Sequence, residues 1–282
     1  MKKITMLFIV LLCAILALAI IVFTKPKFKN DYGVYLGVTE NLKQFSNTKT
    51  IVIDAQYYSA EEIESFVAEG HTVYSYINVG SLENFRDYYS RFENLTLGNY
   101  EHWDEEKWMD VSSEEWQNFI LEELAPSLID KGISGFFVDN TDVYYLYQND
   151  EMLNGLATIM KGLKAYDKDV IINGGDVFMD AYTEKLGNWD DVITGINQES
   201  VFSEINWDTN SFEKSNDYDR EYFKKYLTKY GSQGADIYIL EYTTDSKLID
   251  EIKKYCKEQS FHYYISGSLE LIGSTDADAE NE

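Results

Sequence analysis

Short β-branched runs alternate with helical segments eight times between residues 50 and 266, and run after run ends on an acid or an amide. That alternation predicts an α/β fold, a single (β/α)8 barrel of the TIM type. A doubly wound open sheet is the alternative, but no glycine-rich phosphate loop follows any of the runs. The chain has 282 residues; with its first thirty or so set apart, the remainder suits one barrel of roughly 250 residues.

The N-terminal segment is the first element. Lys2 and Lys3 precede an unbroken apolar run, residues 6–23, followed by Thr24, Lys25, Pro26 and Lys27. At about 1.5 Å per residue this run reaches roughly 27 Å, close to the thickness of a hydrocarbon core. A secretory h-region is shorter, about 7 to 15 residues. Residues 1–30 are therefore expected to be a transmembrane signal anchor and linker, with cleavage near Ala17-Leu18-Ala19 as the alternative. The expected location is extracytoplasmic and membrane-anchored at the cell surface, or secreted if the signal is cleaved. Residues 31–270 are expected to form the barrel, and the acidic, polar residues 271–282 a disordered tail.

The predicted strands are 50–54, 72–78, 107–111, 134–139, 169–173, 191–197, 236–241 and 261–266, with a further stretch at 33–38 before them. Ser59 and Glu62 form a capping box that opens a helix ending at Gly70. Trp116, Phe119, Ile120, Leu124 and Leu128 recur at helical spacing over 113–131, up to Gly132. Pro126 inside that run predicts a kink or a break. The other helices are expected at 149–166, 176–186, 218–230 and 246–258.

The strand ends carry the functional signal. They are Asp54, Asn78, Asp110, Asp139-Asn140, Asn173, Asn197-Gln198-Glu199, Glu241 and Ser266. Barrel interiors are filled with bulky apolar side chains, and catalytic groups sit at the C-terminal rim. One Asp or Asn after a strand is ordinary helix capping. Carboxylates with amides at so many corresponding ends are not, and Glu199 and Glu241 are informative because Glu is not a favoured N-cap.

Composition narrows the partner classes. Forty-nine acidic residues against 24 basic give a net charge of −25. Such a surface repels nucleic acid and attracts a cationic polymer, although solubility alone also accounts for it. Aromatics reach 15%, with 23 Tyr and 5 Trp; these serve as sugar-stacking platforms or as core. Cys13 and Cys256 are the two cysteines and His71, His102 and His262 the three histidines. That leaves no disulfide framework and no His/Cys zinc spacing. A monomer without a cofactor is expected.

Glycosidic cleavage needs two carboxyl groups flanking the scissile bond. Asp139 ends the apolar run Phe136-Phe137-Val138 and is the candidate nucleophile, with Asn140 and Asp142 to orient it. Glu199 and Glu241 compete as acid/base, and strand position alone does not decide between them. Asp54 and Asp110 are candidate substrate contacts. Asn78, Asn173 and Tyr35 are candidate sugar hydrogen-bonders, and Tyr76 and Tyr144 candidate stacking rings. Other readings are a Ca²⁺ or Mg²⁺ site on Asp139 and Asp142, a non-catalytic carbohydrate-binding barrel, or a metal-dependent hydrolase, which would normally want His ligands.

Three blocks then stand in order: Tyr74-Ser75-Tyr76-Ile77-Asn78-Val79-Gly80-Ser81-Leu82-Glu83, Trp108-Met109-Asp110-Val111, and Gly135-Phe136-Phe137-Val138-Asp139-Asn140-Thr141-Asp142. With Ile196-Asn197-Gln198-Glu199-Ser200 and Leu240-Glu241-Tyr242, the chain resembles glycoside hydrolase family 114 over residues 33–266. The resemblance implies a (β/α)8 endo-α-1,4-polygalactosaminidase-like enzyme acting inside galactosamine-rich exopolysaccharide of the kind found in biofilm matrices. It also implies Glu199 as the acid/base, leaving Glu241 as a substrate contact. Ser200 departs from the pattern: many relatives carry there a Cys that pairs with another.

Overall fold

The computed structural model describes residues 28–273. Most of the expected signal anchor and of the acidic tail lies outside the described residues. Among the described residues no helix is long and apolar enough to cross a membrane.

Eight parallel strands form one sheet in the order of the chain. They are β1 (Asn30–Val34), β2 (Thr48–Ile53), β3 (Thr72–Asn78), β4 (Gly135–Asp139), β5 (Asp169–Asn173), β6 (Gly195–Glu199), β7 (Asp236–Tyr242) and β8 (His262–Ser266). The sheet curls into a nearly closed barrel. At its seam β1 and β8 lie side by side: His262 Nδ1 is hydrogen-bonded to Asp31, and Tyr35 meets Tyr264 edge-on. Strands buried on both faces need continuous apolar runs, and Ile51–Ile53, Phe136–Val138 and Val170–Ile172 supply them. Inside the barrel, Tyr32 on β1 packs 4.7 Å from Tyr238 on β7, and Tyr74 on β3 lies 6.3 Å from the same ring. Contacts between non-neighbouring strands place these rings in the interior.

Two expectations about the strands are corrected. The run at 107–111 is not a barrel strand. Glu106–Met109 is the middle of a three-stranded antiparallel sheet with Ser81–Glu83 and Thr96–Asn99, inserted between β3 and β4. Lys107 and Asp110 leave it too few apolar residues for burial on both faces. The barrel's first strand is instead β1, overlapping the extra stretch at 33–38. The sixth strand also begins later than predicted, at Gly195, so Asn197 sits within it and Glu199 ends it.

The helices cover the outside. The capping box forms as expected: Ser59 Oγ accepts from Glu62 N, and Glu62 accepts from Ser59 N at 3.0 Å. Pro126 does not break its segment, which runs on as helix from Glu114 to Ile129. Residues Phe119–Leu124 widen to π-helical bonding immediately before it, which absorbs the missing donor. A second hairpin, Ser203–Asn206 with Ser211–Lys214, follows β6.

Candidate active site

Four adjacent strands carry the floor of the site on their last residues: Asp139, Asn173, Glu199 and Tyr242. Asn173 Nδ2 donates to Asp139 Oδ1 at 2.9 Å and to Glu199 Oε1 at 2.7 Å. Two acceptors on the ~120° fork of one primary amide lie about 5 Å apart. Tyr242 donates from its hydroxyl to the other Glu199 oxygen at 2.7 Å. Behind the floor, Asn197 Nδ2 donates to Asn173 Oδ1 at 2.7 Å, and the Tyr32 hydroxyl donates to Asn197 Oδ1 at 3.1 Å. After Asp139 the chain turns through Asn140 in the left-handed region, φ 65°. Gly80 permits this turn, since a Cβ there would lie 1.7 Å from the Asn140 carbonyl oxygen.

The two acids are placed in unequal electrostatic settings. Burial raises the Asp139 carboxyl above its ordinary value, but hydrogen bonds from Asn173, the Asn140 backbone and Tyr76 pull it back. Burial also raises Glu199, and the charge of Asp139 raises it further, against hydrogen bonds from Tyr242 and Asn173. Both carboxyls are therefore raised, and they titrate as a coupled pair. Asp142 lies beside them, its carboxyl pushed up to about 7 by burial and then by Asp176 and Asp139.

The acids open into a cleft of about 870 Å³. One wall is an ion-pair triad: Arg86 Nη1 meets Asp54 at 2.6 Å, and its Nε and Nη2 hold Glu83 at 2.6 and 3.0 Å. Burial pushes the Glu83 carboxyl up to about 7, against the pull of Arg86. Glu106 faces them from the inserted sheet, accepting from Ser81 Oγ and, at 3.3 Å, from Asn78 and Asn140. Eight lining side chains are carboxylates and one, Arg86, is a permanent cation already shared between two of them. The cleft therefore has a strongly negative field. Its rim is aromatic. His102 stacks on Trp207 at 4.3 Å and 6°, Trp103 meets Trp207 edge-on, and Tyr57 and Phe85, the latter beside Arg86, line the cleft half-exposed.

The sequence-derived candidates divide accordingly. Asp139, Glu199, Asp54, Asn140, Asp142, Asn173 and Tyr76 all line the cleft. Asn173 and Asn140 do so with amides already committed, Asn140 to Tyr100, Ser81 and Glu106. Five candidates are corrected. Glu241 is fully buried and does not open into the cleft: its carboxyl accepts from Phe202 N, Ser203 N and Ser203 Oγ at 2.9, 2.9 and 2.6 Å. It anchors the loop that begins at Ser200. Asp110 caps a turn, accepting from Ser112 N and Oγ, because its run belongs to the inserted sheet. Asn78 is buried beneath the wall and holds Ser81 at 2.7 and 2.9 Å. Tyr35 is core, stacked on Phe45 at 3.8 Å with its hydroxyl on Thr48. Tyr144 is likewise buried and does not line the cleft.

Sequence reasoning missed Tyr242, Glu106, Arg86 and the rim rings Trp103, Trp207, Tyr57 and Phe85. A signal existed for the tryptophans, since Trp103 and Trp207 each sit in polar, turn-rich stretches where core packing gives no reason for a large ring.

A parallel barrel with two carboxyls bridged at the C-terminal ends of β4 and β6 defines the class: this is a glycoside hydrolase. The family model of glycoside hydrolase family GH114 matches residues 22–270, and the chain belongs to that family. Among solved structures it is similar to the glycoside hydrolase domain of PelA from Pseudomonas aeruginosa, with a TM-score of 0.73, 17% identity, and coverage of 86% of this chain and 96% of that one. Ega3 from Aspergillus fumigatus, solved in complex with galactosamine, gives a TM-score of 0.68 at 15% identity over 88% of this chain and 94% of that one. An alpha-galactosidase from Thermus thermophilus, in complex with stachyose, gives 0.58 at 9% identity over 90% of this chain and 64% of that one. At these identities the likeness is one of fold. No curated protein matches the chain in sequence.

Proposed function

We propose that this enzyme cleaves an amino-sugar polysaccharide internally, on α-1,4-linked galactosamine, by a retaining two-carboxylate mechanism. The observation that carries the reading is the Asn173 bridge, which sets the two oxygens it holds, Asp139 Oδ1 and Glu199 Oε1, about 5 Å apart. Retaining glycosidases hold their carboxyls about 5 to 5.5 Å apart, and inverting ones about 6.5 to 9.5 Å. Glu199 protonates the glycosidic oxygen as Asp139 attacks the anomeric carbon, and the leaving chain departs with the proton. Glu199, now ionised, takes a proton from water as that water displaces Asp139. The product keeps the α configuration.

The substrate class is supported by three features together. The cleft's excess of carboxylates suits a chain of ammonium groups. The aromatic rim offers stacking faces for several sugar rings, and relatives of this fold include Ega3, solved with galactosamine. The deciding experiment incubates residues 28–282, which keep all of β1, with galactosamine-rich and glucosamine-rich polymers and follows fragments by mass and anomeric configuration by NMR. Internal fragments of α configuration from the galactosamine polymer are expected. No fragment from any amino-sugar polymer would overturn the substrate, and a β product would overturn retention. We also propose that the enzyme works outside the cytoplasm, held by the apolar run at 6–23. A mature N-terminus near Ile20 in the culture medium would count against the anchor.

A further inference from the structure

Beneath the floor of the site runs a line of hydrogen bonds that lies out of the substrate's reach. It starts at the Tyr32 hydroxyl on β1, passes through the Asn197 amide on β6, and ends on the Asn173 amide between the two acids. Asn197 is wholly buried and Tyr32 is 2% exposed, and neither lines the cleft. The Asn173 amide has two unlike ends, a nitrogen with two donors and an oxygen that only accepts. Turning it over costs little by itself, because the terminal torsion of Asn is broad and roughly two-fold. Turned over, it would aim a carbonyl oxygen at Asp139 and Glu199. The Asn197 nitrogen opposes that state: it would then face another amino group. Asn197 is in turn held by the phenol that donates to its oxygen.

We propose that Asn197 is a positioning residue of the hydrolytic reaction, acting through Asn173. By donating to Asn173 Oδ1 it keeps the bridging nitrogen aimed at both acids. This inference rests on the reading of Asp139 and Glu199 as the reacting pair. It gives the bridge a part in both halves of the cycle. While Asp139 is the anion, one N–H of Asn173 steadies it. Once Asp139 is esterified and Glu199 has lost its proton, the other N–H steadies Glu199. No group has to move between the two states, because both hydrogens come from one nitrogen.

The test is Asn197→Leu, which keeps the side-chain volume and removes the donor. The principal readout needs no substrate: the titration of Asp139 and Glu199 is followed by carboxyl ¹³C NMR in the unliganded enzyme. Weakened donation to the anions should move both titrations upward, by about half a pH unit or more. On a polymer that the wild-type enzyme cleaves, kcat should fall about tenfold or more with KM within about twofold. A folded Asn197→Leu protein with unshifted titrations overturns the proposal, whatever its activity. Should that variant fail to fold, Tyr32→Phe decides by the same titration. It leaves Asn197 in place and deletes only the hydroxyl behind it, so an upward shift supports the proposal and an unshifted curve overturns it. The substrate reading fails separately, by a wild-type enzyme inert on every amino-sugar polymer, and that result leaves the titration readable. The pair itself fails separately too, by an active Asp139→Asn enzyme.

Discussion

Tyr242→Phe should move the alkaline limb of the pH profile to higher pH without dismantling the site. The Tyr242 hydroxyl donates to Glu199 Oε2 at 2.7 Å, and the residue is 3% exposed, so water is poorly placed to replace the lost donor. A hydrogen bond to a charged group contributes about 1.5 to 3 kcal/mol. At 1.36 kcal/mol per pH unit, removing it raises the acid by about one to two units. The sign follows from the role. Glu199 must be protonated to release the leaving group, so its ionisation sets the alkaline limb. Losing a donor to the anion delays that ionisation, and the limb moves up. Phenylalanine keeps the ring packed on Phe212, now 5.7 Å between centroids, so the loss is confined to the hydroxyl. The assay is kcat/KM against pH on a cleavable galactosamine oligomer, with the thermal midpoint as a control for folding. Because the acids are coupled, the limb belongs to the pair. An alkaline limb within about 0.3 units of wild type in a folded variant would refute Glu199 as the proton donor.

Three further outcomes follow from the same geometry. Asp139→Asn should abolish turnover, and Glu199→Gln should lower it by roughly 10²- to 10⁴-fold; circular dichroism should show both folded, since each keeps side-chain volume. Glu241→Gln should act on stability instead: losing one acceptor for the loop at 202–203 costs about 1 to 3 kcal/mol, read as a thermal midpoint several degrees lower, and a large rise in KM without that drop would restore Glu241 as a substrate contact. Finally, kcat/KM on a free-amine polymer should fall as salt rises, because exposed charges are screened beyond about 8 Å at physiological ionic strength, and full N-acetylation should weaken binding. Equal activity on both polymers, unaffected by salt, would make the acidity a solubility feature.

The barrel was legible from local pattern because a strand buried on both faces must be an apolar run, and a helix on its outside must show a stripe. Asp139 was legible for the same reason: the run Phe136–Val138 ends on it, and the side chain after such a strand faces the rim. Glu199 was found as a strand end even though its strand was placed too early, since Val192 and Ile193 are buried just ahead of β6 and read like its start. What periodicity does not carry is which sheet a run joins. Residues 107–111 alternate with a following helix as a barrel strand would, yet pair antiparallel with segments before them, so Asp110 was assigned to the wrong rim.

Side-chain direction was the other quantity absent from the sequence. Glu241 and Glu199 both stand near the ends of apolar strands and look equivalent in the chain. Strand register separates them: Glu199 pairs with Leu240, so Glu241 points out to the 202–203 loop, while its neighbour Tyr242 reaches the cleft. The family resemblance, the barrel and the carboxylate-rich strand ends came from the sequence itself, because they depend on residue type and local spacing. Only the tertiary structure decided that one amide bridges the two acids, that Arg86 is held between Asp54 and Glu83, and that Trp103 and Trp207 meet above the cleft. Those contacts join residues from separate strands and insertions, and nothing along the chain fixes a distance until the barrel curls and brings them together.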